Sequence, residues 1–345
     1  MLDIPGSYGP RGPLPLQVRF LARESTGSFV NRLAHRNGLE LHEFLERAGQ
    51  GKASESPERI KKYPQYTEMY VNRAGLRYLA VLTDRPDEAL QRALPSLGER
   101  HLLPGEEEAA WRWPWEPHEG HIVRCCALCA HRRGAGEPVW LMSPDSWRVC
   151  LRHLHWTDNS RQVDPCGVRL GALPETAEAH QRRERLRRRF GPAGEELFAD
   201  AFQVVVHWWT SMPETIRWVQ RAWSVGLEAR EMRVVPLVIY PEAVELAVAM
   251  LRFEQADERD SSGRARWLVA VQRLMDRWGV DFMRGKEPLL RWLERHSKAA
   301  PARTRSPRRR RLTLSLEHNL IATQTGSLDK RSCLPWQLGM STAEL

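Results

Sequence analysis

Lysine is scarce in this chain. Six lysines stand against 46 arginines, yet the net charge is +9 and the pI near 9.6. A basic balance carried by guanidinium favours phosphate and carboxylate partners, because each side chain offers a planar fork of donors rather than a point charge. Long apolar runs are also missing. The most apolar region, Val234 to Leu251, is interrupted by Pro236, Pro241, Glu242 and Glu245, which excludes a membrane span. The opening Met1-Leu2-Asp3-Ile4-Pro5-Gly6 has neither the basic start nor the apolar core of a secretory signal, so a soluble protein in a reducing cytoplasm is expected. Two enzymatic signatures are lacking as well: a phosphate-cradling Gly-x-x-x-x-Gly-Lys loop and a His-Glu-x-x-His helix. The acidic run Glu106-Glu107-Glu108 lies in a polar loop. These absences point away from catalysis.

What the chain does have is a pattern in its six cysteines. Cys126-Ala-Leu-Cys129 is followed, after 20 residues, by Cys150-Leu-Arg-His153. Two ligand pairs with two-residue spacers can each present two donors to one tetrahedral ion. Thiolate and imidazole suit Zn2+, and four protein ligands leave no open position for a substrate water. Cys125 adjoins Cys126, and His155 follows His153 by two, so either could replace its neighbour. Cys166, in Asp164-Pro165-Cys166-Gly167, reads as a lone thiol or the remnant of a second finger.

At 345 residues there is room for two or three small domains. Residues 1–22 read as a Pro- and Gly-rich arm whose alternation at Leu14 to Phe20 suggests a short strand. Ser25 is a candidate N-cap for a helix carrying Phe29, Val30, Leu33 and Ala34, stopped by Asn37-Gly38. A second short helix carries Leu41, Phe44, Leu45 and Ala48, and Gly49 to Pro57 reads as loop. A helix near 66–82 and another from Pro86 to Leu94 complete a helix-turn-helix-like domain over 23–104. Residues 99–122 read as a loop with Trp111, Trp113 and Trp115. Those tryptophans suit either base stacking or cover for a thin metal-domain core. A zinc-finger domain is expected over 105–172, and an all-α domain over 173–298. From 299 to 345 the composition predicts a disordered basic tail. Its eight basic residues against three acidic ones account for more than half of the net charge. The fold class is therefore mainly α around a small metal-clipped centre.

Two cationic stretches stand out. Arg182, Arg183, Arg185, Arg187, Arg188 and Arg189 crowd one predicted helix, and Arg308, Arg309, Arg310 and Arg311 lie in the tail. Both suit contact with a nucleic-acid backbone, and the first equally suits an acidic partner protein or a solvated helix face.

In order along residues 14–160, several pieces resemble the TniQ family, the target-selection proteins of Tn7-like and mercury-resistance-type transposons. Glu24-Ser25 with Ser28, Arg32-Leu33-Ala34 and Asn37-Gly38 is similar to that family's opening segment. Arg124-Cys125-Cys126-Ala127-Leu128-Cys129 is similar to its first knuckle, and Val149-Cys150-Leu151-Arg152-His153 to its closing pair. The arginine-rich helix followed by Phe198 to Phe202 is similar to actinobacterial members. Ala127 and Leu151 stand where the family often has proline, and only Cys166 remains where a second knuckle is common. The resemblance implies a non-enzymatic adaptor that binds target DNA, or a guide RNA–protein complex that has found it. It would recruit an AAA+ ATPase and, through it, a transposase. A zinc-containing transcriptional regulator acting outside any transposon is the alternative.

Overall fold

The computed structural model describes residues 9–64, 67–159, 167–212, 214–228, 234–256 and 261–298. Cys166, the tail from 299 and its arginines Arg308 to Arg311 lie outside the described residues. The chain divides into two compact units, 1–168 and 169–345. It is mainly helical, with twelve α-helices among the described residues and eight short strands, all but the last of them within the first unit.

The first unit opens with α1 (Thr26–Arg36) and α2 (Leu41–Ala48). The Ser25 side chain accepts from the Ser28 N–H and caps α1, while Asn37 and a left-handed Gly38 (φ 67°) end it. Then come β1 (Gln50–Ala53), α3 (Pro57–Lys62), β2 (Tyr70–Val71), α4 (Arg73–Thr83), α5 (Asp87–Ala93) and β3 (Ala110–Trp113). Strand β3 lies between β1, with which it runs parallel, and β2, with which it runs antiparallel. The loop expected at 99–122 therefore contains the central strand of a three-stranded sheet, and the loop expected at 49–57 contains one of its edges. Trp113 is 2% exposed and belongs to the same core as Phe29, Leu33, Phe44, Leu76 and Leu79. It fills the helical domain rather than flanking the finger. Gly27 makes room for it, because a Cβ there would stand 2.8 Å from the Trp113 ring.

The arm corrects another expectation. Residues 14–20 form no strand and bend at Pro15 and Leu16. Leu14 is buried, and its N–H donates to the Leu82 carbonyl at 2.9 Å, so the arm is held by packing on α4 rather than by a ladder. The helix expected near 66–82 starts later, at Arg73, where the Asn72 side chain accepts from the Gly75 N–H.

The finger follows: β4 (His121–Arg124), α6 (Ala127–Arg132), β5 (Trp140–Ser143), β6 (Trp147–Cys150) and β7 (His155–Asp158), with β8 (Val168–Arg169) at the boundary. β4 pairs antiparallel with β5, and β6 antiparallel with β7. A small apolar cluster of Leu21, Cys125, Ala130, Val139 and Leu141 lies here.

The second unit is α7 (Pro174–Phe190), α8 (Pro192–Ser211), α9 (Ile216–Ser224), α10 (Val235–Gln255), α11 (Ser261–Trp278) and α12 (Phe282–Lys298). α10 packs along α8 and α7, and α12 along α8. Trp208, Trp209, Trp218, Trp267, Trp278 and Trp292 are buried, as their helical spacing suggests, whereas Trp223 is 70% exposed. Arg221 is buried and donates to Glu242 Oε2 at 2.5 Å, the Val238 carbonyl at 2.6 Å and Glu175 Oε1 at 3.0 Å, tying α9 to α10 and α7. Among the described residues no helix is long and apolar enough to cross a membrane.

Candidate metal centre

Two turns bring the four ligand candidates together. β4 ends at Arg124, and the Cys125 N–H donates to the Val139 carbonyl at 2.7 Å, which fixes the knuckle. Cys126 then starts α6, whose first turn carries Cys129. On the other side β6 ends at Cys150, which pairs with His155 of β7 across a tight turn containing a left-handed Leu154 (φ 50°). His153 lies inside that turn.

The donor atoms of Cys126, Cys129, Cys150 and His153 all lie within 4.8 Å of one another. His153 Nδ1 is 3.4 Å from Cys126 Sγ, 3.3 Å from Cys129 Sγ and 3.6 Å from Cys150 Sγ, and the Cys129 and Cys150 sulfurs are 3.6 Å apart. A tetrahedron with about 2.3 Å to sulfur and 2.0–2.1 Å to nitrogen has edges of roughly 3.6–3.8 Å. The donor set and its spacing therefore fit an ion of zinc's size, and this cluster could hold one. The two alternatives point elsewhere. Cys125 is buried in the finger's apolar cluster. His155 Nδ1 lies 2.7 Å from the His153 carbonyl oxygen, to which it donates.

Without a cation two of the thiols, Cys126 and Cys129, resist ionisation. Burial, then the neighbouring Cys150 thiol, pushes Cys129 up to about 12. Burial raises Cys126 as well, and lifts Cys125 to about 11. A divalent ion reverses this preference, since it binds thiolates and expels their protons.

The clip is joined to α1 by a polar pin that sequence reasoning missed. Glu24 bridges Leu141 of β5, the Ser25 N–H donates to the Trp140 carbonyl at 2.9 Å, and the Met142 N–H donates to the Arg23 carbonyl at 2.7 Å. The Trp140 N–H donates to Ser28 Oγ at 3.0 Å, and Ser28 Oγ donates to Glu24 Oε1 at 3.0 Å. Arg32 closes the network with a two-pronged contact to Glu24, Nε to Oε1 at 2.8 Å and Nη2 to Oε2 at 2.7 Å. Glu24 is 0% and Arg32 5% exposed. A signal for this was present. Arg32 lies beside Leu33 and one turn from Phe29, in a stripe otherwise apolar. Glu68 adds a second pin: its Oε1 accepts from the Gly27 and Met69 N–H groups, both at 2.8 Å, and burial pushes its carboxyl up to about 7.

The α7 arginines separate. Arg183 is buried, with its guanidinium 3.8 Å from the Phe198 ring centroid, so it is removed from the set of phosphate-contact candidates. Arg187 pairs with Glu184 at 2.7 Å. Arg182, Arg185, Arg188 and Arg189 are exposed.

The first unit thus defines a class: a short-helix domain pinned to a finger whose four clustered protein donors match a closed structural metal site. Residues 15–155 match the TniQ family model, so this segment of the first unit is similar to the TniQ family. The match takes in the Glu24–Arg32 pin and the whole Cys3His cluster. No curated protein and no solved structure matches the chain.

Proposed function

We propose that this chain is a non-enzymatic adaptor of DNA transposition, which engages target DNA and recruits an AAA+ ATPase and a transposase. The observation that carries this reading is the TniQ match over the segment that contains the Cys3His cluster and the pin joining it to α1. Cys126, Cys129, Cys150 and His153 would hold zinc, and bound zinc supplies a cross-link rather than an open Lewis acid. The finger strand β5 then holds Ser25, Ser28 and Glu24 in place and fixes the N-terminus of α1. Exposed arginines of α7, with Arg308 to Arg311, supply sequence-independent phosphate contacts. α2 or α5 supplies any reading of base edges.

The test is reconstitution of the purified chain with target duplex and with an AAA+ transposition ATPase. A ternary complex on size exclusion is expected. For about six phosphate contacts, DNA affinity should fall on the order of a thousand-fold between roughly 50 and 200 mM salt. Tight DNA binding without any ATPase association would turn the reading to a regulator acting alone. Binding insensitive to salt would remove the phosphate contacts from it.

A further inference from the structure

Arg182, Arg185 and Arg189 stand at i, i+3 and i+7, so they share one side of α7 in a row about 10 Å long. Together with Arg252 of α10 they rim a cavity of about 390 Å³. All four are exposed, and none forms an ion pair with a described residue. The single carboxylate among the lining residues, Glu245, is already engaged by Arg277 at 2.7 Å and by Trp278 Nε1 at 3.2 Å. Four like charges around one concavity repel each other, and an anion entering it relieves that repulsion.

The floor narrows the choice of anion. It is apolar, made by Leu186, Val248, Ala249 and Leu274, with the half-buried ring of Phe190 at one side. A duplex stacks its bases inside and offers a groove of this kind only phosphates. A single strand offers phosphates at roughly the spacing of the arginine row and free base faces that gain from an apolar or aromatic surface. We propose that the groove between α7, α10 and α11 binds single-stranded nucleic acid. Arg182, Arg185, Arg189 and Arg252 hold consecutive phosphates, and one base lodges on the floor against Phe190. This rests on the reading that the chain works on DNA. To that reading it adds Arg252 and Phe190 as contacts and an unpaired strand as the ligand.

The experiment is fluorescence anisotropy on the full chain with three labelled probes of equal length: oligothymidylate, an abasic strand with the same phosphates, and a duplex. A poly-glutamate peptide serves as competitor. Oligothymidylate should bind about ten-fold more tightly than the abasic strand, the expected worth of lodging one base. Arg252→Glu and, separately, Arg185→Glu should each weaken oligothymidylate binding by about ten-fold or more with the circular dichroism spectrum unchanged. Equal affinity for the abasic strand, or no effect of either substitution while duplex is still bound, overturns the groove proposal and leaves the adaptor reading standing. Preferential binding of the poly-glutamate peptide overturns it too and assigns the groove to an acidic protein. Binding of neither strand nor duplex overturns both readings.

Discussion

Each unit of this chain buries an arginine against a buried glutamate, Arg32 against Glu24 and Arg221 against Glu242, and the two contacts do different work. In the second unit Arg221 of α9 ties that helix to α7 and α10, which run 17 and 21 residues and already have long faces to bury. In the first unit the helices run only 6 to 11 residues, and Arg32 with Glu24 joins elements that have little apolar surface of their own. Short elements gain little from propensity or from one packed face. The first unit therefore leans on polar pins and the Cys3His cluster where the second leans on tryptophan-filled contacts between helices.

The comparison is broken most directly at the Cys3His cluster. Cys150→Ser should abolish stoichiometric zinc binding and unfold the first unit, since structural zinc contributes roughly 10–16 kcal/mol of apparent binding energy to small metal domains. The second unit should keep its helical signal. Limited proteolysis with mass spectrometry checks this: a protected fragment beginning near residue 169 is expected, and loss of both units together would show that they do not fold separately. Next in size, Arg32→Ala should cost about 3–5 kcal/mol, because it leaves Glu24 buried and uncompensated. Its thermal denaturation should show an early transition of the first unit alone, while Arg221→Ala should shift only the second.

A pH titration sharpens the contrast further. Glu68 is raised from 4.5 to about 7 by burial, so the folded first unit holds that proton more tightly than the unfolded chain. The contribution of Glu68 is therefore full below pH 4.5 and is lost as pH rises toward 7, a change on the order of 3 kcal/mol. Glu68→Gln should flatten that slope in urea melts between pH 5 and 8; an unchanged slope would place its origin elsewhere. The smallest effect is expected from Ser25→Ala, which removes the α1 cap at about 1 kcal/mol, measurable as a modest drop in the urea midpoint of the first unit.

The features legible in the sequence were those set by local geometry. Cys126 to Cys129 and Cys150 to His153 could be read because a tetrahedral site demands short spacers within each pair. The start of α1 at Ser25 and its stop at Asn37-Gly38 could be read because caps act within four residues. β3 could not, because its partners lie some 40 and 60 residues earlier in the chain. Its Trp-Arg-Trp sequence also gains its meaning only from the core that Trp113 enters. Arg183 was legible and passed over: Thr176, Ala179, Arg183 and Leu186 follow the helical period and are all buried, so the period marks that arginine as inward-facing.

The hydrogen bond from the Trp140 N–H to Ser28 spans 112 residues. On a ribosome α1 is made long before β5 exists to receive it. Until the finger emerges and closes, Glu24 and Arg32 have each other but no strand to anchor them, and the apolar side of α1 awaits Trp113. α1 is thus made early and locked late, once the Cys3His finger has closed against it. A nascent chain stalled before Cys150 would expose α1 to chaperones and proteases, whereas one extended beyond His153 in the presence of zinc would not.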